Sequence, residues 1–228
     1  MTSELWLWPY VALMAAGALL FYSWSRDPRG VPQVEYLVAI VIPVWSGLAY
    51  TAMALGQGLL EVDGQTTYVP RYLDWVVTTP LLLVALALTA MNRAAQKNWT
   101  LLGALIFSDV VMIVSGLVSD LSEGPARTLW YLNGVVAFMI VLALIWGPLR
   151  AEAERGGTDL AALYRRVAGF LTALWFAYPT IWAIGPSGFD LIGQTTETAL
   201  FVIFPFLSKV GFSILDLSGL RRLSTRPV

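Results

Sequence analysis

The 228-residue chain is 57% hydrophobic and only 13% charged, against roughly 25% charged residues in an ordinary soluble domain, which excludes a water-soluble globule. It contains no cysteine and no histidine. Disulfides, thiolate catalysis, haem and zinc sites and histidine proton switches are therefore excluded, a formal net charge of −1 leaves no footprint for nucleic acid, and any proton chemistry must run on carboxylates, lysine, tyrosine or water.

Apolar blocks of about 20 residues, the length that crosses a bilayer core, alternate with short polar punctuation. In chain order they predict helices over 5–24, 34–56, 70–91, 99–120, 126–148, 160–185 and 194–219. The first block lacks a basic leader and an A-x-A cleavage site and is followed by Arg26 and Arg29, so it reads as a retained anchor rather than a signal peptide. Gly156-Gly157-Thr158-Asp159 supplies a start for the sixth helix. Seven spans of about 20 residues use about 140 positions, so one all-α, seven-helix transmembrane domain is expected over 1–228.

Sorting the basic residues by alternate connections puts Arg26, Arg29, Arg93, Lys97, Arg150, Arg155, Arg165, Arg166, Arg221, Arg222 and Arg226 on one side, and only Arg71 and Arg127 on the other. The positive-inside rule then predicts a cytoplasmic C-terminus and an outside N-terminus, in a multi-pass protein of a bacterial inner membrane. Asn98-Trp99-Thr100 matches a glycosylation sequon but falls on the cytoplasmic side and is discounted.

Within the spans lie Glu35, Asp74, Asp109, Glu197, Lys209 and Asp216, with Arg71 at the outer end of the third. Charge at membrane depth is costly, so each is a candidate functional group. Glu35 and Glu197 sit near predicted helix ends and are expected to be solvated, whereas Asp109 is expected to hydrogen-bond a neighbouring helix. Lys209 is deep in the seventh span with no carboxylate within one turn, so an opposite charge must come from another helix, Asp74 first among the candidates, or the amine is neutral. A desolvated neutral amine can condense with an aldehyde, and the resulting cation needs a counter-charge. On these residues alone, a buried lysine–aspartate pair serves equally as a transporter's ion pair or as a Schiff-base site. Trp75 follows Asp74, and Trp175, Tyr178 and Trp182 fall near one face of the sixth helix, a pattern more often found in packing than in a cofactor wall.

The strings RYLDWVVTTPLLL at 71–83, WFAYPTIW at 175–182 and SKVGF at 208–212 resemble the microbial rhodopsins, and the resemblance extends over essentially the whole chain. It implies that Lys209 binds all-trans retinal covalently as a protonated Schiff base, with Asp74 as counterion and proton acceptor. Trp75, Thr79, Met112, Trp175, Tyr178 and Trp182 fall where that family lines its retinal slot, with Pro205 and Ser208 beside the lysine. Tyr50 and Arg71 fall where it organises the extracellular half, and Thr78, Glu197, Glu35 and Asp109 complete the candidate proton pathway. The resemblance also implies a light-driven transporter or photoreceptor rather than an enzyme, protons as cargo, and a homotrimer in the bilayer.

The departures from the family's outward pumps carry further expectations. Their cytoplasmic donor stands eleven residues after the counterion, about 16 Å along a helix; here that place is Ala85. Their second counterion stands four residues before the lysine; here that place is Pro205, without charge or backbone donor. Of the two glutamates that release protons outside in the archaeal pumps, one place holds Ser187 and only Glu197 remains. This combination resembles the xenorhodopsin branch, which includes the cyanobacterial sensory rhodopsin, and the similarity continues in RDPRGVPQVEYLVA, WSGLAY and GFSILDLSGLR.

Members of that branch are inward proton pumps or photochromic sensors. The inward pumps use an aspartate seven residues after the lysine, here Asp216, about 10 Å toward the cytoplasm and nearly on the same helix face. A light-driven inward proton pump is therefore expected. The alternative is a photochromic sensor signalling to a soluble cytoplasmic transducer, for which the basic segment GLRRLSTRPV offers a docking site. If Asp216 carries no protons, it is a helix-end carboxylate paired with Arg221, Arg222 or the neighbourhood of Glu35. A transporter without a chromophore is the remaining alternative; Asp74 argues against a chloride pump, and Asp-Thr-Ala at 74, 78 and 85 against a sodium pump.

Overall fold

The computed structural model describes residues 6–62 and 65–225. Among them, seven helical stretches are long and apolar enough to cross a membrane. The first four are single helices: α1 (Leu7–Ser25), α2 (Gln33–Ala54), α3 (Val69–Ala90) and α4 (Trp99–Asp120). The last three are interrupted. In the fifth, α5 (Gly124–Leu144) passes through a π-helical turn (Ile145–Leu149) into α6 (Arg150–Arg155). In the sixth, α7 (Thr158–Trp175) and α8 (Ala177–Ile184) meet at Phe176, and in the seventh, α9 (Gln194–Phe206) passes through a second π turn (Leu207–Gly211) into α10 (Phe212–Ser224).

The fifth span runs on to Arg155 rather than stopping near 148. The first strong stop signal is the Gly156-Gly157 pair, where Gly157 adopts φ +106°, a conformation that favours glycine. Residue 5, at the start of the first predicted helix, and Arg226, among the basic residues of the predicted cytoplasmic side, lie outside the described residues.

Hydropathy passes over one element, an antiparallel hairpin of β1 (Leu59–Val62) and β2 (Gln65–Tyr68) that pairs Leu59 with Tyr68 and Val62 with Gln65. It lies in the α2–α3 connection and marks one end of the bundle, the hairpin end. The opposite, basic end carries Arg26, Arg93, Lys97, Arg155 and Arg221. There the Arg93 guanidinium forks onto the Asp159 carboxylate at 2.7 and 2.8 Å, tying the α3–α4 connection to the start of α7. Arg221 donates to the carbonyls of Trp24 (3.1 Å) and Asp27 (2.8 Å) and to Tyr36 Oη (3.0 Å), with its guanidinium over the Trp24 ring. Asp27 is held below its ordinary range chiefly by a hydrogen bond from Arg29.

The bundle is built around α3. In its most apolar window 61% of residues are buried, against 28% in α1 and α4. A helix covered on all sides must find protein partners for its polar groups, because neither water nor lipid will supply them. That requirement organises the site.

Candidate functional site

Lys209 lies in the middle of the seventh-span π turn, with its side chain 1% exposed. Its amine pairs with Asp74 Oδ2 of α3, whose side chain is fully buried. Two hydroxyls complete the cluster. Ser46 of α2 donates to Asp74 Oδ2 (3.0 Å) and lies 3.0 Å from Lys209 Nζ, while Tyr10 of α1 shares a 2.7 Å hydrogen bond with Ser46 and lies 3.4 Å from the amine. Thr78, one turn along α3, donates to the Asp74 carbonyl (2.8 Å) and reaches its Oδ1 at 3.3 Å. A buried cation and anion are thus in direct contact and hydrogen-bonded from three sides, the condition under which a buried pair is tolerated.

Pro205 shapes the backbone just before the lysine. Having no N–H, it leaves the carbonyl of Phe201 without its helical partner, and Tyr50 Oη donates to that carbonyl at 2.7 Å. Ser208 shares a 2.9 Å hydrogen bond with Tyr178 Oη and reaches the Pro205 carbonyl at 3.3 Å.

Between α3, α4, α5 and the sixth span, with Phe201 of α9, lies an apolar, aromatic-walled cavity, the kind of concave apolar surface that takes up small molecules. Trp75, Thr79, Met112, Trp175, Tyr178 and Trp182, all anticipated as lining residues, border it. Pro205 and Ser208, expected beside them, do not, although Ser208 is hydrogen-bonded to the hydroxyl of the lining residue Tyr178. Tyr72, Tyr131, Phe138 and Phe201 also border it and were not anticipated. The interruption at Phe176 leaves Trp175 and Tyr178 on different helical segments, yet both still reach the cavity.

Asp109 of α4 is fully buried and accepts from Thr79 at 2.6 Å, joining α4 to α3 as expected. At the hairpin end, Arg71 is 5% exposed, with its guanidinium 4.8 Å from the Tyr68 ring and 4.5 Å from the Phe201 ring. Glu197 accepts from Gln194 Nε2 (3.0 Å) and is within electrostatic reach of Arg71.

Glu197 and Glu35, expected to be solvated, are instead buried, at 5% and 3% exposure. For Glu197 the cause is Gly185: a Cβ there would lie 2.6 Å from Glu197 Oε1, so the absent side chain admits the carboxylate. Glu35 is in the first turn of α2, where the helix N-terminus favours a negative charge. It faces Asp216 and Lys97, and its Oε2 has no hydrogen-bond partner among the described residues.

Asp216 is 2% exposed and accepts from Thr89 of α3 at 2.6 Å. Of the alternative surroundings, Asp216 lies within electrostatic reach of Glu35, and the pairing with Arg221 or Arg222 is not formed among the described residues. Arg221 is engaged by the α1–α2 connection, and no ion pair links Arg222 to Asp216 among the described residues. Asp74 and Thr89 are fifteen residues apart on α3, about 22 Å of helix, offset by roughly 60°. Between them the buried Leu82, Ala85 and Leu86 form an apolar stretch with no titratable group.

Sequence reasoning missed Tyr10, Ser46, Thr89 and Asp120. Asp120 is the last residue of α4, where it accepts from Tyr72 Oη and Trp182 Nε1. Its place inside the predicted fourth span was the available signal. Ser46 gave none, since a lone serine hydroxyl in an apolar helix most often bonds its own backbone, and a tyrosine in the first span reads equally as an interfacial residue.

A buried amine against one carboxylate, with an aromatic cavity bordered by the adjoining Trp75, in a seven-helix membrane bundle, defines the architecture of a retinal protein. The bacteriorhodopsin-like protein family matches residues 1–223, and the chain belongs to that family. It is 35% identical over 219 residues to archaerhodopsin-1 of Halorubrum ezzemoulense, covering 92% of this chain and 82% of that one. It is 32% identical over 207 residues to sensory rhodopsin-2 of Natronomonas pharaonis, covering 90% and 84%. Among solved structures, the thermophilic rhodopsin of Rubrobacter xylanophilus superposes with TM-score 0.91 at 36% identity, covering 98% of each chain. A light-driven proton pump of Coccomyxa subellipsoidea gives 0.86 at 29%, covering 95% of this chain and 96% of that one. The chain is thus a multi-pass cell-membrane protein of a family that binds retinal covalently through a lysine, whose members are light-driven pumps and sensory rhodopsins rather than enzymes. The residues present fit that group: the cavity is apolar and aromatic, and Lys209 brings a buried amine to the Asp74 carboxylate near Trp75.

Proposed function

We propose that this protein is a light-driven inward proton pump of the xenorhodopsin branch, with Lys209 as the attachment point for retinal and Asp74 as its counter-charge. Retinal, when bound, supplies a light-driven change of shape that reorients a protonated nitrogen. The protein's residues decide where a proton can then go. Asp74, Ser46 and Thr78 gather negative charge and hydroxyls at Lys209. The place of the outward pumps' donor is Ala85, and Pro205 offers no anion.

The observation that carries the reading is Asp216: a buried carboxylate on the basic side of Lys209, in no ion pair among the described residues and held by one hydroxyl. Such a group can accept a proton without breaking an ion pair. Glu35, whose own Oε2 has no hydrogen-bond partner among the described residues and which lies within electrostatic reach of Asp216, offers the next station toward the basic end. Arg71, Tyr50 and Glu197 line the opposite half, from which the proton is replaced. With the positive-inside rule placing the basic end in the cytoplasm, this order of groups runs inward.

The test is the light-induced pH change of an unbuffered suspension of cells expressing the protein with all-trans retinal, repeated with a protonophore. External alkalinisation abolished by the protonophore is expected; external acidification would overturn the direction. A coloured protein that moves no protons would favour a photosensor, a reading supported by the similarity to sensory rhodopsin-2 and by the basic face carrying Arg221 and Arg222, which a soluble transducer could meet. Lys209→Ala should give no visible band.

A further inference from the structure

Asp120 is a buried carboxylate that the proton route does not use. Its oxygens accept from two different helices, Oδ2 from Tyr72 Oη of α3 at 2.7 Å and Oδ1 from Trp182 Nε1 of α8 at 2.6 Å. Both donors belong to side chains that border the cavity. Trp182 is also stacked on Tyr131 of α5, with centroids 4.4 Å apart and planes inclined by 14°, and Tyr131 Oη donates to the Pro179 carbonyl at 3.1 Å. Tyr72 in turn meets Trp75 edge-on at 5.2 Å.

The position is unfavourable for helix stability. Asp120 ends α4, where the helix dipole presents partial negative charge and disfavours an acidic side chain. What the residue gains there is its two donors. It also ties α8 to α3 and α4 through side chains, in addition to the backbone that continues from α7.

We propose that Asp120 is a positioning residue that fixes the wall of the chromophore cavity, pinning Trp182 and Tyr72 to the end of α4 without itself touching the chromophore. The inference rests on the reading of this cavity as the retinal slot. It makes α8 the stationary half of the sixth span, joined to α3, α4 and α5 through side chains.

Two readouts test it, one independent of retinal. Near-ultraviolet circular dichroism of the retinal-free protein reports the Tyr131–Trp182 stack. Bleaching of the pigment by hydroxylamine in the dark reports how well the cavity is closed. Asp120→Ala should weaken the stacking signal and speed bleaching by about tenfold, the loss expected for a charge-assisted hydrogen bond. Trp182→Phe should do the same, and the double variant should bleach no faster than the faster single, because both remove one interaction. Asp120→Asn, which can still accept from Trp182 and donate to Tyr72, should restore both readouts.

If Asp120→Ala does not accumulate in the membrane, Tyr72→Phe and Trp182→Phe each delete one donor and are read in the same way. A pigment whose dichroism and bleaching ignore these changes, or a double variant whose rate is the product of the singles, would overturn the inference alone. A wild-type chain that forms no pigment would overturn both this inference and the proposed function.

Discussion

Thr89 donates a 2.6 Å hydrogen bond to Asp216 across the contact between α3 and α10, on nearly the same side of α3 that presents Asp74 to Lys209 four turns away. One helix therefore sets the environment of both carboxylates. Because Thr89 is the only partner of Asp216 among the described hydrogen bonds, the two should act as a unit. Asp216→Asn is expected to retain the visible band while light-driven proton uptake falls by about a hundredfold or more, the usual worth of a positioned proton acceptor. Thr89→Val should give a smaller loss. Flash-induced pH changes followed with an indicator dye make the measurement, and undiminished uptake in Asp216→Asn would remove it from the route.

Ala85 lies midway along the apolar stretch between those carboxylates. Ala85→Asp places an ionisable group there, one turn from Thr89 and three from Asp74. The expected result is a lower net inward pH change with faster recovery of the unphotolysed pigment, since protons can return from the basic side. Unchanged transport and recovery would show that the stretch is not a barrier.

Ser46 bridges Tyr10, Lys209 and Asp74, all of them buried. Ser46→Ala leaves one Asp74 oxygen with a hydrogen bond fewer, a loss of about 1–3 kcal/mol for a buried polar group. A shifted absorption maximum and earlier thermal bleaching are expected. Tyr10→Phe should do less, because its hydroxyl reaches the amine only at 3.4 Å.

At the basic end, Arg221 anchors α10 to the α1–α2 connection, so Arg221→Ala should expose the C-terminal turn to proteolysis while leaving the pigment intact. Acid should act in the same direction. Asp27 is held below its ordinary value of 3.8, so its contribution is complete above that value and is lost as pH falls through the lower, folded-state value. Limited proteolysis below about pH 4 should therefore loosen the wild-type end, and Asp27→Asn should abolish that pH dependence.

Much of this architecture was legible in the chain. The fourth span begins and ends where hydropathy places it, and Lys209 meets Asp74 because a buried cation could not stay unpaired. The hairpin escaped a hydropathy reading because Leu59 and Leu60 are too few to register as a span; Asp63-Gly64 between its strands was the overlooked signal. Burial of Glu35 and Glu197 escaped for another reason. Helix-end position predicts solvation only if nothing folds over the end, and at Glu197 that depends on a missing side chain at Gly185. Ser46 became visible only when α1, α2, α3 and the seventh span were brought together.

The π turn around Lys209 makes chain length, rather than composition, the guarded quantity in the seventh span. Removing any one residue from 207–211 would let the segment rewind as regular helix and rotate α10 by about 100° relative to α9. Lys209 or Asp216 could then still face α3, but not both. Exchanges among apolar residues in this stretch should be tolerated far better than a single-residue deletion, which would separate the light-receiving end of the helix from its proton-accepting end.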